Sequence, residues 1–367
     1  MTNTQQIEHE LYKHCEEKDA DAIAWAFTNK DTFVKFPYKH ATLLPGEIRA
    51  NVLYAGLCTS DSLHCRSSWG HCKYPVAPGH EIIGEVAELG SEVKDFKVGE
   101  KVGFGTLRFS CNECKFCKLG RESLCSSKQE PIFTYGKHFG GYSTTLQQPA
   151  SHFFHLPENL DLAKSAPLLC AGITVYSPML KHLKPGMNTA VIGIGGLGHL
   201  AVQFLSKLGH KVTAVTTSKN KKDTIFALGA SELIDITDEK DLTDNVGKFD
   251  FIINTAPSSS NFDKIFNLTA SAGFFVQIGL PDVSKQDFTF KSGTLVSREI
   301  TLVGSFLGSR GDIVSMLKLC ADKNIYPVNE EFTFEDFPVA LAKLEHGKPI
   351  YRCIVNVQDF AKKHFAK

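Results

Sequence analysis

The sequence predicts an α/β chain of two units, one β-rich and one a doubly wound parallel sheet. Three observations carry this. Residues 193–198 read Gly-Ile-Gly-Gly-Leu-Gly, between an apolar run and an amphipathic segment. From about residue 171 the chain alternates apolar runs with amphipathic stretches, the rhythm of strand followed by helix. Before that point, short strand-like runs are punctuated by Gly79, Gly84, Gly90, Gly99, Gly103 and Gly105, as in antiparallel strands joined by turns.

The run Ala190-Val191-Ile192 reads as the first strand of the parallel sheet. Leu197, Leu200, Ala201, Phe204, Leu205 and Leu208 then fall on one face of a helix. In that context Gly193, Gly195, Gly196 and Gly198 predict a dinucleotide site. The tight turn lets backbone approach a pyrophosphate, and the free N–H groups at the helix start meet its charge. Strands are predicted at 189–192, 211–216, 232–234, 250–253, 273–278 and 300–304, with helices between them that stop near Gly209 and Gly229. A further helix is predicted over Asp312–Lys323. A strand over Tyr351–Val357 should return to the first unit. In that first unit, strands are predicted between Thr32 and Val52, at Ile82–Val86 and at Lys101–Phe104. The first 20 residues read as an irregular or helical extension.

At 367 residues the chain can hold two separate cores. Hydrophobic content of 43% with 22% charged residues is that of an ordinary soluble globular protein. Lys+Arg and Asp+Glu both number 40, so charge argues against nucleic acid or an anionic membrane as the main partner. Met1–Asp21 lacks the apolar centre of a signal peptide, and no run approaches the roughly 18 apolar residues of a membrane span. A cytoplasmic protein is predicted. Eleven cysteines without a secretory signal point to metal or thiol chemistry rather than disulfides.

The cysteines fall into two constellations. Cys111, Cys114, Cys117 and Cys125 crowd into 15 residues, and four thiolates can close a tetrahedron around zinc. An iron–sulfur cluster is the alternative, although the last spacing does not suit one. The second set is dispersed: Cys58, His80 with Glu81, and Cys170. Two thiolates and an imidazole would leave the fourth zinc position open, as a catalytic site requires. By itself each of these residues could equally be a buried small hydrophobe or a turn histidine.

Together these stretches resemble the zinc-dependent medium-chain alcohol dehydrogenases, in particular the cinnamyl alcohol dehydrogenase type. The resemblance rests on Gly56-Leu57-Cys58-Thr59-Ser60-Asp61, on Pro78-Gly79-His80-Glu81-Ile82-Ile83-Gly84, on the four-cysteine lobe, on Ala166–Tyr176 and on the glycine turn. It spans about residues 30–357. It implies a GroES-like catalytic domain (1–170 and 309–367, with 1–20 an extension and 111–125 a structural zinc lobe) and a Rossmann domain (171–308). It implies two zinc ions per chain, one catalytic and one structural, and a homodimer. Carried over by position, Cys58, His80 and Cys170 match the catalytic zinc ligands, and Glu81 matches a carboxylate that can exchange onto the metal. Asp61 matches the acid that orients the histidine ligand, and Ser60 matches the hydroxyl that passes the substrate proton outward. Many relatives carry a histidine where this chain has Leu63, so either His64 ends the relay or it runs through the cofactor ribose and water. Trp69 matches a cleft position, Phe306 and Leu307 are further pocket candidates, each of which could equally be core, and Thr174 and Ile278 are implied cofactor contacts.

The cofactor type is legible in the residues themselves. An NAD site usually has an acid at the end of the second strand. Here Lys211–Val215 runs into Thr216-Thr217-Ser218-Lys219-Asn220-Lys221, with no carboxylate before Asp223. Hydroxyls and lysines suit a 2′-phosphate. Thr216, Thr217, Ser218 and Lys221 match the family's NADP-binding positions. The expected activity is hydride transfer between NADP(H) and a primary alcohol or aldehyde, aromatic or medium aliphatic. A polyol or other secondary-alcohol dehydrogenase of the same fold, or a non-catalytic NADP-binding protein, are the alternatives.

Overall fold

The computed structural model describes residues 12–70, 72–127, 134, 139–217, 219–256, 261–280, 287–347 and 349–365. The described residues begin with β1 (Lys13–His14), β2 (Ala22–Phe27) and β3 (Phe33–Lys39), an antiparallel sheet in the order β1-β3-β2. Residues 1–11 of the predicted extension lie outside the described residues, and β2 is an additional strand ahead of those predicted between Thr32 and Val52. Residues 13–14 pair onto β3, residues 17–19 form a 3-10 turn, and β2 begins at Ala22. Strand β2 shows no apolar/polar alternation because both its faces are covered. Ala22, Ala24 and Ala26 pack with Phe36, Tyr38 and Phe139, while Ile23 and Phe27 join the main core of the unit.

Next come β4 (Glu47–Leu57), β5 (Ile82–Leu89), β6 (Lys101–Phe104), β7 (Thr145–Pro149) and β8 (Phe153–His155). The second unit contains β9 (Thr189–Ile192), β10 (Val212–Thr216), β11 (Glu232–Asp235), β12 (Phe249–Asn254), β13 (Thr269–Gln277) and β14 (Thr301–Gly304). Every pairing among these six is parallel, in the order β11-β10-β9-β12-β13-β14. The order of strand addition reverses between β9 and β12, so a crevice opens at the carboxyl ends of those two strands. Open sheets of this kind bind ligands there. The glycine turn leaves β9 at that place.

The tail supplies β15 (Asn329–Thr333) and β16 (Arg352–Asn356). Strand β16 pairs antiparallel with β4, so the tail rejoins the first unit. The resulting sheet runs β15-β16-β4-β5-β6-β8, with β7 also on β4. One core cluster spans both units. It joins Ile83, Phe154 and Leu169 to Leu200, Phe204 and Val276, and to Ile313 and Met316 of the helix Arg310–Lys323. Burial on this scale, at roughly 25 cal/mol per Å² of apolar surface, fixes the crevice walls against each other. Among the described residues, no helix is long and apolar enough to cross a membrane.

Candidate active site and dinucleotide crevice

Strand β4 delivers Cys58 at its end, just before the helix Thr59–Cys65. His80 and Glu81 lie immediately before β5. Cys170 ends the short 3-10 segment Ala166–Leu169 and starts the helix Ala171–His182. One donor atom from each of Cys58, His80, Glu81 and Cys170 lies within 4.8 Å of all the others. The structure therefore brings the dispersed set together.

Asp61 is the hub behind that cluster. Its Oδ1 accepts from His80 Nδ1 (2.8 Å) and from the Gly79 N–H (3.1 Å). Its Oδ2 accepts from the Tyr142 hydroxyl (2.6 Å) and, at 3.4 Å, from the Cys58 N–H. A carboxylate only accepts, so Nδ1 of His80 carries a proton, which turns Nε2 toward the thiols, 3.2 Å from Cys170 Sγ. Burial alone would lower the His80 pKa, but the Asp61 charge and hydrogen bond drive it well above the usual value. The Cys58 thiol is driven well below its usual value by the hydrogen bond from Cys170 and by His80, against burial. A thiolate beside an imidazole and a second thiol is the donor chemistry zinc requires, and Asp61 supplies the outer support such a histidine ligand needs.

Glu81 fills a space that Gly56 leaves for it. A Cβ at position 56 would lie 2.1 Å from Glu81 Oε2. Oε1 of Glu81 accepts from Arg352 Nη2, which also donates to the Leu57 carbonyl (2.9 Å). Oε2 is buried with no hydrogen-bond partner among the described residues. Burial pushes the Glu81 carboxyl up to about 7 against the pull of Arg352. An unpartnered carboxylate oxygen within reach of the thiols fits a group that can turn onto a metal. Arg352 and Tyr142 carry no local signal in the sequence. Arg352 is a lone cation in a tail strand, joined to Glu81 only by the β16–β4 pairing.

The remaining predicted residues of this helix lie close by. Ser60 is in its first turn and half-buried; His64 is in its last turn and half-buried. Burial lowers the His64 pKa, opposed by the Asp61 charge. Trp69 is half-buried in the following loop. A cavity of about 850 Å³ is lined by Phe306, Leu307 and Ile278 together with Leu124 and Phe288. Trp69 is not part of that lining, so the three predicted cleft residues do not share one wall.

In the four-cysteine lobe, donor atoms of Cys111, Cys114, Cys117 and Cys125 likewise lie within 4.8 Å of one another. Cys111 Sγ is 3.5 Å from Cys125 Sγ and 3.9 Å from Cys117 Sγ. Backbone N–H groups of Cys117 and Ser126 hold the Cys114 thiol down at about 5. Four converging sulfurs with backbone donors aimed at them fit a closed tetrathiolate site.

At the crevice, Gly193 takes φ +81° and its N–H bonds the Val215 carbonyl (2.9 Å). A Cβ at Gly198 would sit 1.9 Å from the Gly193 carbonyl oxygen, so only glycine closes the turn. A Cβ at Gly195 would meet no protein atom within 4 Å, which leaves that side open for a ligand. Thr216 ends β10 buried, Thr217 is exposed and Lys221 is half-buried. Ser218 lies outside the described residues. Thr174 is buried one turn beyond Cys170, its N–H bonded to the Cys170 carbonyl (3.0 Å). No carboxylate stands at the end of β10, so the donor set fits a 2′-phosphate better than a bare ribose.

Comparison with known proteins agrees with this geometry. Residues 44–158 match the alcohol dehydrogenase GroES-like domain, and residues 196–322 match the zinc-binding dehydrogenase family. The aldehyde reductase AdhA of Synechocystis sp. is 36% identical over 88% of this chain and 94% of its own length. Cinnamyl alcohol dehydrogenase 8 of Arabidopsis thaliana is 34% identical, covering 94% of this chain and 97% of its own. The structure of the Helicobacter pylori CAD complexed with NADP(H) superposes with a TM-score of 0.83 at 31% identity, over 91% of this chain and 97% of that one.

Proposed function

The chain belongs to the zinc-dependent medium-chain alcohol dehydrogenases of the cinnamyl alcohol dehydrogenase type, and from that premise we propose that it transfers hydride between NADP(H) and a primary alcohol or aldehyde. The observation that carries the reading is the convergence of Cys58, His80 and Cys170 with Glu81 beside them. In this reading Cys58, His80 and Cys170 hold a catalytic zinc, and the lobe cysteines hold a structural one. The catalytic zinc, when bound, supplies Lewis acidity toward the substrate oxygen.

Each residue then has a defined task. Asp61 keeps Nε2 of His80 aimed at the metal position. Glu81 waits on Arg352 with one oxygen uncommitted. Ser60 takes the hydroxyl proton, and His64 passes that proton on. Residues 171–308, with Gly193, Gly195, Gly196, Leu197, Gly198, Thr174 and Ile278, bind the dinucleotide and set the nicotinamide carbon at reacting distance in a dry cleft. Residues 1–170 and 309–367 carry the metal ligands. Thr216, Thr217, Ser218 and Lys221 select the 2′-phosphate. Phe306 and Leu307 provide an apolar wall for aromatic or medium aliphatic substrates, and Trp69 is not part of that wall. A homodimer working in the cytoplasm completes the reading.

The test is reduction of a panel of aromatic and medium aliphatic aldehydes, with NADPH and NADH in parallel, beside oxidation of polyols and secondary alcohols. Preference for NADPH and for aldehydes carrying apolar groups supports the reading. Turnover confined to polyols or secondary alcohols moves the activity to that branch of the fold. Binding of NADP(H) without turnover of any substrate leaves a binding protein.

A further inference from the structure

Strand β16 opens beside the glycine turn. A Cβ at Gly196 would lie 3.2 Å from the Tyr351 carbonyl oxygen and 3.2 Å from the Arg352 side chain. Tyr351 is therefore in the layer directly behind the turn, on a segment otherwise belonging to the first unit. Its ring stacks on His199, centroids 4.5 Å apart and planes 15° apart. His199 is itself fixed. Its Nδ1 donates to the Gly195 carbonyl (3.0 Å), and its Nε2 accepts from the Val328 N–H (3.2 Å). Burial holds its pKa down at about 3, so it is a neutral ring at any working pH. Tyr351 is thus locked by a stack that leads straight into the glycine turn.

Two features of Tyr351 are unexplained by packing. The Lys221 ammonium lies over its ring, 5.4 Å from the centroid. The Tyr351 side chain is 3% exposed, and its hydroxyl is buried with no hydrogen-bond partner among the described residues. A phenylalanine would stack on His199 equally well and would avoid burying an unpaired hydroxyl. A buried donor held beside a lysine, next to a dinucleotide turn, has the chemistry of an anion contact. Burial raises its pKa, so it stays a neutral donor.

We propose that Tyr351 positions the 2′-phosphate of NADP(H): its ring fixes the Lys221 ammonium by a cation–π contact, and its hydroxyl donates to the phosphate. This rests on the reading that the enzyme prefers NADP(H). It adds a residue from the far end of the chain to a specificity otherwise assigned to the end of β10. The first unit would then contribute directly to the choice of cofactor.

The experiment is calorimetric titration of the purified, zinc-loaded enzyme with NADP+, NAD+ and 2′,5′-ADP. Wild type should bind NADP+ at least tenfold tighter than NAD+. Tyr351→Phe keeps the ring and loses the hydroxyl. It should weaken NADP+ and 2′,5′-ADP about tenfold and leave NAD+ within about twofold, since a hydrogen bond to a charged group is worth about that factor. Tyr351→Leu also frees Lys221 and should weaken NADP+ further, and in that background Lys221→Ala should add less than it does in wild type. Circular dichroism and zinc content check that each variant folds; should Tyr351→Leu not fold, Tyr351→Phe decides. An unchanged NADP+/NAD+ ratio in the folded variants, or equal weakening of both cofactors, overturns the role of Tyr351 while the NADP reading stands. A wild-type enzyme with no preference for NADP+ overturns the NADP reading, and the inference falls with it.

Discussion

Removing the Asp61 side chain should damage the metal cluster and the fold together, and the structure sets the size of the effect. Asp61 is 1% exposed and accepts from three buried donors at short range, His80 Nδ1, the Gly79 N–H and the Tyr142 hydroxyl, at 2.8, 3.1 and 2.6 Å. Asp61→Ala leaves all three unsatisfied, and each orphaned buried donor costs about 1–3 kcal/mol. Because the three share one acceptor their costs do not simply add, so the loss should be about 3–6 kcal/mol. That is a large fraction of the roughly 5–15 kcal/mol that holds a domain folded. Asp61→Asn keeps an acceptor for His80 and Gly79, and Tyr142 can rotate to accept from the new amide, so its cost should be about 1–2 kcal/mol. Loss of support behind a histidine ligand should also weaken zinc binding by about 10- to 100-fold. Urea unfolding of wild type, Asp61→Asn and Asp61→Ala, with chelator competition for zinc on the same samples, measures both effects. An Asp61→Ala protein within 1 kcal/mol of wild type that retains zinc equally well would refute the role of Asp61 as hub.

Three further outcomes follow from the same geometry. Gly195→Ala should leave the unfolding midpoint unchanged, because its Cβ meets no protein atom, but weaken NADP(H) about tenfold or more, whereas Gly198→Ala should lower stability through its clash with the Gly193 carbonyl. Differential scanning fluorimetry with cofactor titration separates them, and a Gly195→Ala enzyme with normal cofactor affinity would show that the ligand does not approach there. Replacing His64 with Gln should move the acid limb of the pH profile for alcohol oxidation, since burial places its titration below 6.5; an identical profile removes it from the proton relay. Finally, His152 and His199 are buried and neutral, with pKa values lowered to about 3 by desolvation. The unfolded chain takes up protons near 6.5 that the folded chain refuses, so their stability contribution is complete above about pH 6.5 and is lost as pH falls toward 3. Two such groups give a slope of roughly 3 kcal/mol per pH unit between those limits. Urea midpoints should fall steadily from pH 6.5 to 4.5, and constant midpoints over that range would contradict this.

The parallel sheet was the most legible part of the chain. Its central strands β9 and β10 are buried throughout and read as short Val/Ile runs, so β9, predicted at 189–192, has those bounds, and β10 begins within one residue of prediction; the less buried β11 and β14 also begin or end within one residue of it. Strand β2 was hidden because Ala22, Ala24 and Ala26 look like neither a hydrophobic run nor an alternation, although every one is buried. The metal lobe announced itself by density alone. The dispersed set did not, because Cys58, His80 and Cys170 meet only when a strand end, a strand start and a helix start converge. Their grouping came from resemblance, and the fold supplies the physical reason for it. Arg352 and Tyr351 were invisible for a further reason: their neighbours Glu81, His199 and Lys221 lie on other elements, and only the return of β16 to β4 brings them together.

The most direct test is zinc content and NADPH-dependent aldehyde reduction measured on one purified sample, with a Cys170→Ser variant alongside. The proposed function predicts about two zinc ions per chain and turnover for wild type, and about one zinc with no turnover for the variant, the lobe site surviving. A wild-type chain that carries about one zinc and reduces no aldehyde would contradict a working metal site at Cys58, His80 and Cys170.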